Sequence, residues 1–205
     1  MIALATATFA IPLQPRGNTA AFKVTADQIG TLAPKSKSCN PASAPECASA
    51  DNAAAYINNS FQTYQITSPG VAAGLIATMI QESGQFEFSR NKVPGVPGQG
   101  TRNMQSPKFN KMYLDSITDP GFVAEKTAAG SDPVKVLNAL IKYGNYDFGS
   151  AAWFLTTQCK SSVAGLDKGD SAGWDAYVQC VGASPGDGRK AVWTQAIALL
   201  KSTHS

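Results

Sequence analysis

The stretch "MIQESGQFEFSRN", Met79 to Asn91, places one carboxylate, Glu82, directly after an apolar run. With "PGVAAGLIATMIQES" taken as a helix, Val71, Leu75, Met79 and Glu82 follow one another at steps of four, four and three, along one stripe. The stripe carries an acid onto the apolar face near the helix C-terminus. Burial disfavours the charged carboxylate, and the negative end of the helix dipole acts in the same direction. Both favour a group that keeps its proton near neutral pH and delivers it to a reacting oxygen. The spacing leaves two readings open, a general acid held protonated by desolvation or a helix that turns so that Glu82 merely emerges into solvent.

A second carboxylate is harder to find. Between Phe88 and Leu114 there is no Asp or Glu. Glu87 is the nearest candidate, with Asp115, Asp119 and Asp147 farther along the chain. An unbroken helix would turn Glu87 well away from Glu82, whereas a helix ending near Gly84 redirects it. The acid-free interval holds Arg90, Lys92, Arg102, Lys108 and Lys111, a cationic stretch suited to an anionic polymer.

The four cysteines fall as two near pairs, Cys39 with Cys47 and Cys159 with Cys180. Four cysteines allow three connectivities, and pairing within each near pair is the simplest of them. Wide cysteine spacing, and a sole histidine, His204, beside the C-terminus, argue against a metal site. No cofactor is expected.

After "QES" come "GQF" and, across a Pro/Gly loop, "GQGTRNMQS". The ordered set of Glu82, Ser83, Phe86, the Gly98–Gly100 loop and Met104-Gln105, with the later "SAAWFLTTQC", resembles the lysozyme and lytic-transglycosylase superfamily. The run from Glu82 to Pro107 is similar to secreted fungal muramidases of that fold, and the likeness extends more loosely over residues 47–205. The resemblance implies a muramidase cutting the β-1,4 bond between N-acetylmuramic acid and N-acetylglucosamine in peptidoglycan. Glu82 would protonate the leaving oxygen while positive charge develops on the sugar ring. Glu87 is the first candidate for a base. Ser83, Gln99, Asn103 and Gln105 are the expected polar contacts to substrate, and Tyr143 and Tyr146 the expected stacking rings.

Alternatives stay open at this level. A lytic transglycosylase would need Glu82 alone, and a chitinase or chitosanase would share the architecture. A catalytically silent secreted wall-binding protein is a reading of another class. Peptidoglycan is the expected partner of a monomer, without nucleic acid or membrane.

Helices must position these groups. Strand-type alternation is nearly absent, and Asp or Ser precedes most helical segments, with Ser49 and Asp51 as possible caps, and Pro69 suits a first helical turn. Gly144 and Gly182 stand where two helices should end. The expectation is an all-α, lysozyme-like globular domain of about seven or eight short helices. Trp153, Trp174 and Trp193 are assigned to its core.

The domain should span residues 47–205, after a pro-segment or linker at 17–46 and a truncated signal segment at 1–16, "MIALATATFAIPLQPR". That segment is apolar from Ala3 to Ala10 but lacks a basic start. With the disulfides and the sequon Asn58-Asn59-Ser60, it points to a secreted, extracellular protein. The chain is 43% hydrophobic and 15% charged, with net charge +3. That bias is too mild to indicate nucleic acid, and no basic run is interleaved with aromatic residues. No apolar run approaches the roughly 20 residues of a membrane span.

Overall fold

The computed structural model describes residues 20–202. The signal-like segment therefore lies outside the described residues. Among the described residues there are ten α-helices: α1 (Ala26–Leu32), α2 (Ala50–Thr63), α3 (Pro69–Glu82), α4 (Pro107–Ser116), α5 (Val123–Ala129), α6 (Pro133–Ile141), α7 (Gly144–Thr157), α8 (Val163–Lys168), α9 (Ser171–Cys180) and α10 (Asp187–Ser202). Among the described residues the β-contacts are two isolated bridges, Arg90 with Gly100 and Gly100 with Gln105. The all-α expectation holds.

Local chemistry explains where the helices start. The Ser49 and Asp170 side chains accept from Asn52 N and Gly173 N. Ser68 and Asp132 cap α3 and α6, each with proline as the next residue. Thr25 and Gln28 form a reciprocal capping box at α1. One expected helix end became a helix start. Gly144 opens α7, and the position requires glycine because a Cβ there would lie 2.2 Å from the Tyr56 ring.

Helix α3 is the centre of the molecule. Every residue from Gly70 to Ile80 is buried, so its environment is apolar all round rather than along one stripe. It packs most heavily against α10 and also against α7, α8 and α9. Gly70 permits close approach, since a Cβ at that position would stand 2.2 Å from Leu166 O of α8. Trp153, Trp174 and Trp193 are all buried, as expected, and the last two stack with ring centroids 5.6 Å apart.

Residues 20–46 are not a linker. Phe22, Val24, Ile29, Leu32 and Ala33 are buried in the main core, and Phe22 N donates to Ile66 O at 2.7 Å. Asn58 accepts from Val24 N at 2.8 Å and donates to Val24 O at 2.9 Å. The sequon asparagine thus spends its amide inside the protein, holding the N-terminal segment. Two disulfides, Cys39–Cys47 and Cys159–Cys180, realise the simplest pairing. Among the described residues no helix is long and apolar enough to cross a membrane.

Candidate functional site

Helix α3 ends at Glu82, and the chain turns sharply after it. Gly84, Gln85 and Phe86 all have positive φ, at 61°, 64° and 68°. Non-glycine residues rarely adopt this conformation, which here is over-determined by its partners. Phe86 is fully buried against Phe148, its N–H donates to Ser83 Oγ at 2.9 Å, and its carbonyl accepts from Arg102 Nη1 at 2.8 Å. Ser83 Oγ in turn donates to Met79 O at 2.6 Å. Ser83 is therefore a fully buried fastener of the turn rather than a contact to a ligand.

A cleft of about 490 Å³ opens at this end of α3. Glu82 lines it together with Gln99, Asn103 and Gln105 from the loop before α4, and with Ser184 and Arg189 from the segment leading into α10. Phe109 and Phe154, rings 4.9 Å apart and edge to face, supply apolar surface. The cleft loop is rigidly held. Gln99 Nε2 donates to Met104 O at 3.1 Å, and Gln105 Nε2 donates to Asn110 Oδ1 at 2.9 Å. Buried Asn110 returns its own amide to Gly98 O and Gln105 O. Two acceptors are left over: Asn103 Oδ1 and Gln105 Oε1 are buried and have no hydrogen-bond partner.

Glu82 differs from its expected state. Its side chain is 22% exposed, and Oε1 accepts from Arg189 Nη1 at 2.6 Å. It is a half-buried, ion-paired carboxylate in a polar cleft, not an acid isolated on an apolar face. The apolar stripe was misleading because the last turn of α3 emerges from the core while the turns before it stay inside.

Glu87 does not join it. Its carboxylate accepts from Lys35 Nζ at 2.6 Å, and it lines a separate groove beside Cys39 and Cys47. Tyr143 and Tyr146 are also elsewhere. Tyr143 donates to Glu125, and Tyr146 donates to Asp119 Oδ2 at 2.6 Å in a groove shared with Tyr113 and Trp153. That hydroxyl and the Gly121 N–H hold the Asp119 carboxyl below its ordinary value. Asp115 pairs with Lys111 one turn away on α4. Of the expected set, the fold gathers Glu82, Gln99, Asn103 and Gln105.

The cationic stretch is largely neutralised by acids distant in sequence. Arg90 and Lys92 approach Glu46 at 3.5 and 3.7 Å. Lys108 lies over the Phe109 ring. Arg102 is buried and binds Asp147 Oδ2 at 2.8 Å, Phe86 O at 2.8 Å and Glu46 O at 2.6 Å. It ties the cleft loop to α7, to the turn after α3 and to the N-terminal segment. Burial pushes the Asp147 carboxyl up to about 6; Arg102 opposes that rise and Glu46 adds to it.

Sequence reasoning missed Arg189, Asn110 and Arg102 as organisers of this region. Arg189 stands 107 residues from Glu82, and nothing in "GDGRKAV" marks it as an ion-pair partner.

The chain is similar to a bifunctional dioxygenase–epoxy alcohol synthase of Fusarium oxysporum (strain Fo5176). The two are 41% identical over 136 residues, which is 63% of this chain and 11% of that protein. The chain thus matches about a tenth of the length of its curated relative. No family model matches it, and no solved structure does. The relative is an enzyme named for oxidative chemistry, not for cutting glycosidic bonds. That finding overturns the muramidase reading, together with its transglycosylase, chitinase or chitosanase and silent wall-binding alternatives. The hydrolase description falls with it.

Proposed function

We propose that the chain is an acid–base enzyme domain whose Glu82 cleft binds a small hydroxyl-bearing ligand, with epoxy alcohols as the first class to test. The observation that carries this reading is the partly exposed Glu82–Arg189 ion pair, with both side chains lining the same cleft. A ligand hydroxyl donates to the Glu82 carboxylate, and the Arg189 guanidinium donates to a ligand oxygen. Glu82 is then placed to accept a proton from that ligand and return it. Phe109 and Phe154 offer apolar contact to a carbon skeleton. The named activity of the Fusarium relative supplies the epoxy alcohol class.

Among the described residues no cluster of three or more His, Cys, Asp or Glu side chains could hold a metal ion, and all four cysteines are in disulfides. The proposed chemistry is proton transfer by protein side chains. The two disulfides support an oxidising, extracellular setting for it.

The test is calorimetric titration of glycidol and of 2,3-epoxyhexan-1-ol into wild type, Arg189→Met and Glu82→Gln, with mass spectrometry of the recovered ligand. Saturable binding to wild type is expected, about tenfold weaker in Arg189→Met. Any conversion of the ligand should disappear in Glu82→Gln. Absence of saturable binding to wild type, or undiminished binding by Arg189→Met, overturns the reading.

A further inference from the structure

The two disulfides differ in their surroundings. Cys39 and Cys47 are both partly exposed, and both line a groove of about 240 Å³ beside the turn after α3. That groove shares no lining residue with the Glu82 cleft. In the second bridge Cys159 is fully buried, at the end of α7, and Cys180 is the last residue of α9. Thiol–disulfide exchange needs access to a sulfur and releases the other sulfur as a thiolate, and burial in apolar surroundings disfavours that thiolate. The first bridge meets both conditions better than the second.

The chain between Cys39 and Cys47 adds a second difference. Residues 40–45, "NPASAP", include no buried side chain. Their backbone bonds are local: Ser43 N and Ala44 N donate to Asn40 O, and Cys47 N donates to Ala44 O. Such a segment holds two released thiols together weakly, whereas Cys159 and Cys180 stay on helices packed into the core. The exposed loop also ends on Glu46. Glu46 Oε2 accepts from Ser89 N at 3.1 Å, its carbonyl accepts from Arg102 Nη2 at 2.6 Å, and Arg90 and Lys92 approach its carboxylate. Beyond Cys47, Ala48 N donates to Phe86 O at 2.9 Å and ties the start of α2 to the body of the protein.

We propose that Cys39–Cys47 is a thiol-exchange site, opened in the folded protein by a dithiol, and that its opening loosens the hold of Glu46 on Ser89 and Arg102. A thiolate of the dithiol attacks one bridge sulfur, forming a mixed disulfide and releasing the other cysteine as a thiolate. The second thiol of the reagent then attacks its own mixed sulfur and leaves as a cyclic disulfide. Two electrons pass from the dithiol to the bridge, and two protons follow to Cys39 and Cys47. Loop 40–46 is then joined to the protein only through the chain at its two ends. The site is independent of the Glu82 cleft and of the function proposed for it.

The experiment equilibrates the full chain, without denaturant, in graded ratios of reduced to oxidised dithiothreitol. Iodoacetamide then traps free thiols, and peptide mass spectrometry assigns them, with Cys159–Cys180 as the internal reference. Cys39 and Cys47 should become labelled at a ratio at least about tenfold lower than Cys159 and Cys180. Two-dimensional NMR of the protein at that ratio should keep the dispersed spectrum of α3 and α7 while the backbone amides of Ser89 and Arg102 shift. The double variant Cys39→Ser/Cys47→Ser should show the same shifts without reductant. If that variant does not fold, the reduced wild type carries the comparison alone. Three results would overturn the proposal: opening of Cys159–Cys180 at the same ratio or a lower one; labelling of Cys39 and Cys47 only where the whole spectrum collapses; or their labelling with Ser89 and Arg102 unmoved.

Discussion

Arg189 Nη1 lies 2.6 Å from Glu82 Oε1, joining the first turn of α10 to the last turn of α3 across 107 residues. The pair sits at the mouth of the polar cleft with both side chains less than a third exposed. Its placement follows from the packing of α10 on α3, the most extensive helix contact in the fold. Replacing Arg189 by Met leaves the Glu82 carboxylate without its partner. The expected cost is about 1 kcal/mol, near the upper end for partly exposed pairs. Binding of a hydroxyl-bearing ligand should weaken about tenfold. Thermal unfolding and calorimetric titration check the two effects separately.

Arg102 offers a harsher test. Its pair with Asp147 is about 5% exposed on each side, and the same guanidinium serves three backbone carbonyls. Arg102→Met strands a buried carboxylate and should cost about 3–5 kcal/mol. Arg102→Lys should recover little of this, since a single ammonium cannot reproduce the planar fork. Urea unfolding of both variants decides it. A loss below about 1 kcal/mol in Arg102→Met would show that the network is not what holds the cleft loop.

The same pair makes stability depend on pH. The Asp147 carboxyl rises from 3.8 to about 6 on folding, driven by burial against the opposing pull of Arg102. A carboxyl raised in the folded state holds its proton more tightly there. Its contribution is complete below about pH 4 and is lost as pH rises through about 6. Wild type should therefore lose urea resistance between about pH 4 and 7 relative to Asp147→Asn. A stability difference that stays flat across that window removes Asp147 as the titrating group.

The Cys159–Cys180 disulfide joins the end of α7 to the end of α9, and Cys180 with Gln158 lines the cleft. Replacing both cysteines by Ala opens a loop with sequence separation 21. The expected cost is about 3 kcal/mol. Hydrogen exchange should rise at residues 181–184, which border the cleft, before it rises in α3. Uniform acceleration through α3 would mean that the bridge supports the core rather than the cleft wall.

Much of this protein was determined by short stretches of sequence acting on their own. Ser49, Ser68 and Asp132 start helices because a side-chain oxygen satisfies amides two or three residues on. The end of α3 at Glu82, the near-neighbour cysteine pairs and the burial of the three tryptophans were legible for similar reasons. Each depends on contacts of short range or on a strong hydrophobic preference. Tertiary structure alone decided the rest. Whether Glu82 lay in apolar surroundings or beside a cation depended on α10, and whether residues 20–46 were linker or core depended on Asn58 and Ile66. The cations at Arg90, Lys92 and Arg102 found their acids at Glu46 and Asp147, far outside any local window. Periodicity reports which face of a helix is apolar. It carries no information about which distant charge the fold will bring to the end of that helix, because that choice is made by the packing of whole elements.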